Sequence, residues 1–285
     1  MSRTEHAPTA APRGSGDRTA NGRDVLRQVA VAIAVAGALI GGFIGSGALG
    51  GRSVDETQGG ALGPAGSLLA PASPAFLIWT PLYAGLVAYA VWQLLPSQRR
   101  SPRHRAVGWW LAAIAVLEGL WILAAQLLPL WTTVVVMALL VFVAYRAHRA
   151  AFASRTGRSL RGGILLDGLA GAHLGWATVA GAANAGAWIA GLHLGGWAGD
   201  GAGVLALVLL GAAGIVVSAR TAWSVAAPLA MAWGAVWIGV ARLTAEPASA
   251  PVGVVAFAMA ALLAAVSVAM RVVLLRGERA RRAHG

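Results

Sequence analysis

The sequence predicts an all-α membrane protein, a polytopic transmembrane bundle of about eight helices. The chain of 285 residues is 58% hydrophobic and only 11% charged, and its mean hydropathy is +0.70. Several apolar runs also approach the ~20 residues that a helix needs to cross ~30 Å of hydrocarbon. Basic residues collect in alternate loops, as they do in membrane proteins. These three observations together exclude an ordinary soluble domain.

Hydropathy places eight spans along the chain, with boundaries that a sequence defines only to within about 2–4 residues. The spans are residues 25–48, 75–95, 107–128, 130–147, 163–189, 203–219, 221–241 and 251–275. The first five carry the aromatic clusters and the intramembrane polar groups, so we expect a five-helix core over 24–190. A Gly-rich loop at 191–202 separates it from three additional transmembrane helices within 203–275, which are largely Ala, Val, Leu and Gly.

The arginines predict the topology, because cytoplasmic loops carry an excess of basic residues. All 22 basic residues except Arg52 and Arg242 fall in the N-terminal region, in the even-numbered loops or near the C-terminus. This pattern predicts a multi-pass protein of the inner (plasma) membrane with both termini cytoplasmic. The net charge of +12 is then explained by the topology. We therefore expect membrane lipids as partners of these charges, and no nucleic acid.

The two ends of the chain are polar and basic, and two residue types, Cys and Lys, are absent from the sequence. Residues 1–23 have too little apolar periodicity to fold, so we expect a disordered cytoplasmic tail there and a basic cytoplasmic tail at 276–285. A cleavable signal peptide is the alternative for the N-terminus, but no clear Ala-x-Ala site closes the long apolar run. The absence of Cys excludes disulfides and thiolate chemistry, and the absence of Lys excludes a Schiff base or a P-loop.

The second span carries an aromatic face. Phe76, Trp79 and Tyr83 are spaced three and four residues apart, which places them on one side of a helix. Pro81 lies near the start of this helix, where proline is tolerated. The pattern indicates an aromatic wall, and ordinary helix packing with one interfacial Trp is the alternative.

Glu118 lies near the middle of the third span, three residues before Trp121. An acidic residue at the bilayer centre costs roughly 2.5–3.5 kcal/mol even on the gentler insertion scales, so it should face the bundle interior. We therefore interpret Glu118 and Trp121 as candidate ligand contacts. The alternative is a protonated Glu118 that hydrogen-bonds a neighbouring helix.

The fifth span carries a stripe at helical spacing that comprises His173, Trp176, Ala180, Asn184 and Trp188. Counted from the cytoplasmic side at ~1.5 Å per residue, His173 and Glu118 reach similar depth. We predict that the two share a hydrogen bond, with a purely structural histidine as the alternative. Asp167, one turn inside the start of this span, is predicted to complement the positive end of the helix dipole.

Other patterns give no support to catalysis or metal binding. The sequence from Gly45 to Gly50 fits GxGxxG, but it ends a membrane helix and follows no strand. The six histidines are scattered without metal-ligand spacing, and no Ser or Thr lies in a recognisable nucleophile setting. We therefore expect neither an enzyme nor a metal site.

Three motifs in order resemble the TspO/MBR family, the tryptophan-rich sensory proteins related to the peripheral benzodiazepine receptor. The second span resembles F-x-x-x-W-T-x-L-Y, with Phe76 one residue out of register. The third resembles L-N-x-x-W, and the fifth resembles P-Y-x-x-W-x-x-F-A-x-x-L-N-x-x-I-W. The residues that carry the second and third motifs are Leu117, Glu118, Trp121, Trp176, Ala180, Asn184 and Trp188.

The resemblance covers about residues 25–190 and implies a five-helix bundle that binds tetrapyrroles and other hydrophobic molecules among its tryptophans, often as a homodimer. It implies pocket roles for Trp79, Tyr83, Trp121, Trp176, Asn184 and Trp188. The chain departs from the family at Glu118, where the family has Asn, and at Ala172 and His173, where it has Pro-Tyr. The three helices after residue 203 exceed the family's usual five.

The sequence leaves three function classes open. A sensor or regulator would bind a hydrophobic small molecule, with a tetrapyrrole as the candidate, and would neither transform nor transport it. A secondary transporter of an apolar metabolite would carry its ligand across the membrane, although we find no inverted repeat of broken helices. A structural membrane protein would bind no ligand. We favour the first class.

Overall fold

The computed structural model describes residues 22–157, 159–194 and 199–283, and it is helical throughout. Most of the predicted disordered tail, residues 1–21, lies outside the described residues. The described part contains eight long helices: α1 (Gly22–Gly45), α2 (Trp79–Leu94), α3 (Pro102–Leu127), α4 (Leu130–Ala153), α5 (Leu169–Gly191), α6 (Asp200–Arg220), α7 (Ala226–Thr244) and α8 (Ala250–Ala283). The predicted all-α bundle is confirmed.

Seven of these helical regions are long and apolar enough to cross a membrane, and α2 is extended for this purpose by a 3-10 segment at Ser73–Ile78. The chain is therefore a multi-pass integral membrane protein. The eighth helix, α5, is less apolar than the other seven, because its sequence is rich in Gly and Ala and contains polar residues. It lies between other helices of the bundle, where a strongly apolar surface is not needed.

Several helices extend beyond the spans that hydropathy marked. Helix α3 begins at Pro102, five residues before the predicted start at 107, with proline in its first turn. Helix α4 continues to Ala153 and α8 to Ala283, so most of the predicted basic tail at 276–285 is helical. Hydropathy stops at the first arginines, whereas arginine is a good helix former and lets the backbone continue.

The fifth predicted span, 163–189, contains two kinds of helix. A short turn at Leu160–Gly162 leads into a π-helical segment at Gly163–Gly168, and α5 follows directly. Asp167 lies in the π-helical segment and accepts from Arg103 at 2.6 Å and from Arg155 at 3.0 Å. Its described partners are thus two arginine side chains, which the sequence did not predict.

Helix α5 is shared by two hydrophobic clusters. One cluster joins α1 to α5 and includes Leu111 and Ala177, and the other joins α5 to α8 and includes Val179 and Met231. Gly175 lets α5 approach α7 closely, because an added Cβ would collide with the carbonyl of Ala227. The three C-terminal helices therefore pack directly on the five-helix core.

A buried polar cluster holds the N-terminal end of α1 against α3. Asp24 pairs with Arg27 at 3.0 Å and also with Arg105. Arg27, 1% exposed, donates to the carbonyl of Arg99 at 2.9 Å. These charges are paired where they are buried, as burial requires. The cluster fixes one end of the bundle, and the candidate site lies toward the other.

Candidate ligand cavity

The loop after α1 folds back over the bundle. Two 3-10 turns, Val54–Glu56 and Gln58–Gly60, shape its first half. The side-chain amide of Gln58 donates to the carbonyls of Ala125 at 2.9 Å and Leu128 at 2.7 Å, which ties the loop to the end of α3. The loop thereby covers the space between the helices below it.

A cavity of about 360 Å³ lies under this loop. Its walls come from α1 to α5 and from the loop itself, and most of them are apolar. Seven of the eight predicted site residues line it: Trp79, Tyr83, Glu118, Trp121, His173, Trp176 and Asn184. Their roles as ligand contacts stay predictions, but the structure brings them to one cavity.

The predicted aromatic wall is formed by α2 together with α5. Trp79 and Tyr83 stack with ring centroids 5.3 Å apart and planes 20° apart. Trp176 meets Trp79 edge-on at 6.0 Å, and it meets Phe76 edge-on at 5.9 Å. Such edge-to-face pairs are a preferred geometry for aromatic rings. The rings form one continuous surface against the cavity.

Glu118 and His173 meet deep in the cavity. The Nε2 atom of His173 lies 3.2 Å from Oε1 of Glu118, and each side chain is only 2% exposed. The two side chains are therefore close together as predicted, but the predicted hydrogen bond between them is not formed, since Nε2 has no hydrogen-bond partner in the described residues. The other ring nitrogen, Nδ1, lies 2.8 Å from the carbonyl of Leu169 and donates to it. That bond fixes the orientation of the ring.

Buried polar atoms at this site have no partner within the described protein. They are Oε2 of Glu118, Nε2 of His173 and Nε1 of Trp176. All three residues line the cavity. Buried polar groups are nearly always hydrogen-bonded, so each unpartnered group calls for an explanation. The arrangement can offer one strong acceptor and one indole N–H donor to a bound molecule.

A second polar contact joins α3 to α5 nearer the loop. The indole N–H of Trp121 donates to Oδ1 of Asn184 at 3.1 Å. The amide nitrogen of Asn184 in turn donates to the carbonyl of Ala180 at 2.8 Å. Two of the three sequence motifs thus meet through a hydrogen bond. The contact holds Trp121 in one orientation at the cavity wall.

Trp188 is the one predicted site residue that the structure does not place on the lining. Its side chain is 38% exposed. Each step of four residues turns a helix by ~40° more than a full circle. Three such steps from Trp176 rotate Trp188 by ~120°, away from the cavity.

Sequence reasoning missed the contribution of α7. The indole N–H of Trp233 donates to the carbonyl of Ala75 at 2.8 Å, and the carbonyl of Trp237 accepts from the backbone N–H of Ala72 at 3.1 Å. Arg242, 1% exposed, donates to the carbonyls of Ser67 at 3.1 Å and Pro64 at 2.7 Å. These bonds hold the second half of the loop in place over the cavity.

A signal for part of this contribution was present in the sequence. Arg242 is one of only two basic residues off the predicted cytoplasmic side. An arginine at the end of an apolar helix needs hydrogen-bond acceptors when it is buried. Nothing in the sequence, however, identifies the loop carbonyls as those acceptors.

Comparison with known proteins identifies the family of the chain. A family model described as "TSPO-like protein" matches residues 28–269. No curated protein matches the chain, and no solved structure matches it. The matched region begins within α1 and ends within α8. The three C-terminal helices, which the motif resemblance left outside the family's usual five, are therefore included in the match.

Proposed function

The chain belongs to the TSPO-like protein family, and on that premise we propose that it binds a hydrophobic small molecule in the cavity between α1 and α5 and acts as a sensor or regulator. The observation that carries the proposal is the cavity itself, since residues from all three sequence motifs line one space under the loop. The proposed activity is binding, without chemical turnover of the ligand.

The chemistry of the walls supports a flat, conjugated ligand. Indole and phenol rings from Trp79, Tyr83 and Trp176 face the cavity, and their faces and edges favour contact with another ring. The volume of about 360 Å³ lies within the ~300–1,000 Å³ range of small-molecule sites. A mostly apolar pocket with a few converging polar groups is the common form of such sites. A tetrapyrrole is a ligand class of this shape.

Helix packing supports a binding site more than a transport pathway. The loop is tied to α3 by Gln58 and to α7 by Arg242, so the cavity is covered at the loop end. The buried cluster around Asp24 and Arg27 fills the opposite end of the bundle. A fixed cover and a packed base fit a protein that holds its ligand.

The test is a titration with protoporphyrin dimethyl ester, which is uncharged at its periphery. Purified full-length protein in detergent is titrated while tryptophan fluorescence and the ester's own fluorescence anisotropy are followed. The variant Trp79→Leu/Trp176→Leu is compared with Trp109→Leu/Trp131→Leu, which removes two tryptophans that are 45% and 52% exposed on the outside of the bundle. We expect saturable micromolar binding by the wild type and the outer variant, with loss in the cavity variant.

Circular dichroism checks that both variants keep their helices. Absence of saturable binding to the wild type contradicts the proposal. Binding accompanied by ligand flux into sealed proteoliposomes would favour the transporter instead.

A further inference from the structure

We propose that the cavity selects ring compounds that carry a protonated amine over ring compounds that carry a carboxylate, with Glu118 as the group that receives the amine. This inference rests on the proposed function and names the chemical class of its ligand.

The charged groups that line the cavity disfavour a carboxylate ligand. Among the described residues that line the cavity, the titratable side chains include the carboxyl groups of Asp55 and Glu118 and the imidazole of His173, and none of these lining residues is an arginine. The whole chain has no lysine. A carboxylate ligand would therefore approach the buried carboxyl group of Glu118, whereas Asp55 is exposed to solvent and adds little to the repulsion. Like charges in a site of low dielectric repel strongly.

Two basic residues at the loop end of the bundle lie outside the cavity lining. Arg242 donates to the carbonyls of Ser67, Pro64 and Pro247 and is not part of the lining. Arg52 is exposed, precedes Ser53 in the loop and also lies outside the lining. A carboxylate ligand would find no guanidinium in the described wall of the cavity.

Glu118 has a buried carboxyl oxygen that can accept a hydrogen bond from a ligand. Its Oε1 atom lies 3.2 Å from Nε2 of His173, whereas its Oε2 atom is buried and has no partner in the described residues. The side chain is 2% exposed, so solvent is largely withheld from that oxygen. An unpaired carboxyl oxygen in such surroundings is costly, and a donor from a ligand would remove that cost. The strongest such donor is an ammonium group.

The aromatic wall favours the same ligand. Trp79 and Tyr83 line the cavity alongside Glu118, and the faces of indole and phenol rings attract cations. A ring compound with a short aminoalkyl arm can stack its ring on this wall while its ammonium group reaches Glu118. A tetrapyrrole would satisfy the same site only with its acidic side chains outside the cavity.

The test uses three probes that share the naphthalene ring system: the amine naphthylethylamine, the carboxylate naphthaleneacetate and the uncharged ethylnaphthalene. Binding to the full chain in nanodiscs of zwitterionic phosphatidylcholine is measured by isothermal titration calorimetry, with empty nanodiscs as the blank. We expect the amine to bind about tenfold or more tightly than the carboxylate, as for a hydrogen bond to a charged group. Glu118→Gln should weaken amine binding by about tenfold and leave ethylnaphthalene within about twofold.

The matched control is Glu56→Gln. Glu56 neighbours Asp55 in the loop, is exposed and does not line the cavity, and its carboxyl accepts from the backbone N–H of Ser53, which glutamine can also do. It should bind all three probes as the wild type does. The comparison of probes on the wild type remains decisive even where Glu118→Gln fails to fold.

Equal binding of the amine and the carboxylate, or a preference for the carboxylate, overturns this inference and leaves the proposed function standing. No binding of the amine overturns it as well. If protoporphyrin dimethyl ester also fails to bind, the proposed function is lost with it, so the two failures are distinguishable.

Discussion

Trp121 on α3 donates its indole N–H to Asn184 on α5 across a distance of 3.1 Å, and the two residues lie 63 positions apart in the chain. The bond lies at the wall of the cavity, where both residues contribute to the lining. It links α3 directly to α5, whereas the loop after α1 is hydrogen-bonded to α3 and α7. The stability of the cavity wall should therefore depend on this pair.

A double-mutant cycle tests that dependence. Trp121→Phe and Asn184→Leu each remove one partner, and the double variant removes both. Because interhelical hydrogen bonds in membrane proteins are worth about 0.6–1.7 kcal/mol, we expect a coupling energy of that size. Thermal or denaturant unfolding in detergent provides the free energies. Strictly additive single effects would show that the bond contributes nothing measurable.

A second prediction concerns the contact between α5 and α7. Gly175→Ala places a Cβ against the carbonyl of Ala227, a backbone atom that cannot rotate away. We expect a loss of about 1–3 kcal/mol in the free energy of unfolding, as for overpacking elsewhere. Gly37→Ala on α1 is the matched control, because an added Cβ there meets nothing within 4 Å. Equal melting temperatures for the two variants would count against the close packing of these helices.

Arg242 should hold the loop over the cavity. Arg242→Met keeps an apolar side chain of similar length but leaves the carbonyls of Ser67, Pro64 and Pro247 without their donor. Hydrogen bonds to charged groups contribute about 1.5–3 kcal/mol, so the second half of the loop should open more often. Faster hydrogen exchange over residues 64–72 checks this. Arg52→Gln, at an exposed loop position, should leave exchange there unchanged.

The orientation predicted from the arginines can be tested because the chain has no cysteine. Ala48→Cys in the loop after α1 and Ser97→Cys between α2 and α3 place single thiols at exposed positions at opposite ends of the bundle. With both termini cytoplasmic, a membrane-impermeant maleimide should label the thiol at 48 in intact cells. It should label the thiol at 97 only after permeabilisation. The reverse pattern would invert the topology.

The sequence predicted the helices well wherever hydrocarbon dictates composition, and less well elsewhere. Eight helices were predicted, and seven helical regions of the described part are long and apolar enough to cross a membrane. The arginine-rich end of α4 was placed in a loop and that of α8 in a tail, because hydropathy does not detect helix outside the membrane. The meeting of Glu118 with His173 followed from depth along two helices and is present at 3.2 Å. Whether the two side chains form a hydrogen bond depends on side-chain rotation, which spacing does not define, and Nε2 of His173 has no such partner in the described residues.

Longer-range contacts at the site were beyond the reach of the sequence. Trp233 reaches Ala75 across 158 positions, and Arg242 reaches Pro64 across 178. No periodicity or local motif encodes such pairs, because they depend on how complete helices pack. The helices after residue 203 therefore looked like an addition to the core, whereas one of them supports the loop that covers the cavity.

The most direct test of the ligand cavity is steric and leaves the wall tryptophans unchanged. Ala180→Phe fills the lining position beside Asn184, and Ala258→Phe adds the same ring to an exposed position on α8. The measurement is the equilibrium affinity of each variant for protoporphyrin dimethyl ester by fluorescence anisotropy. We expect wild-type affinity for Ala258→Phe and at least about tenfold weaker binding for a folded Ala180→Phe. Unchanged affinity in both variants would place the ligand elsewhere and would contradict a binding site in this cavity.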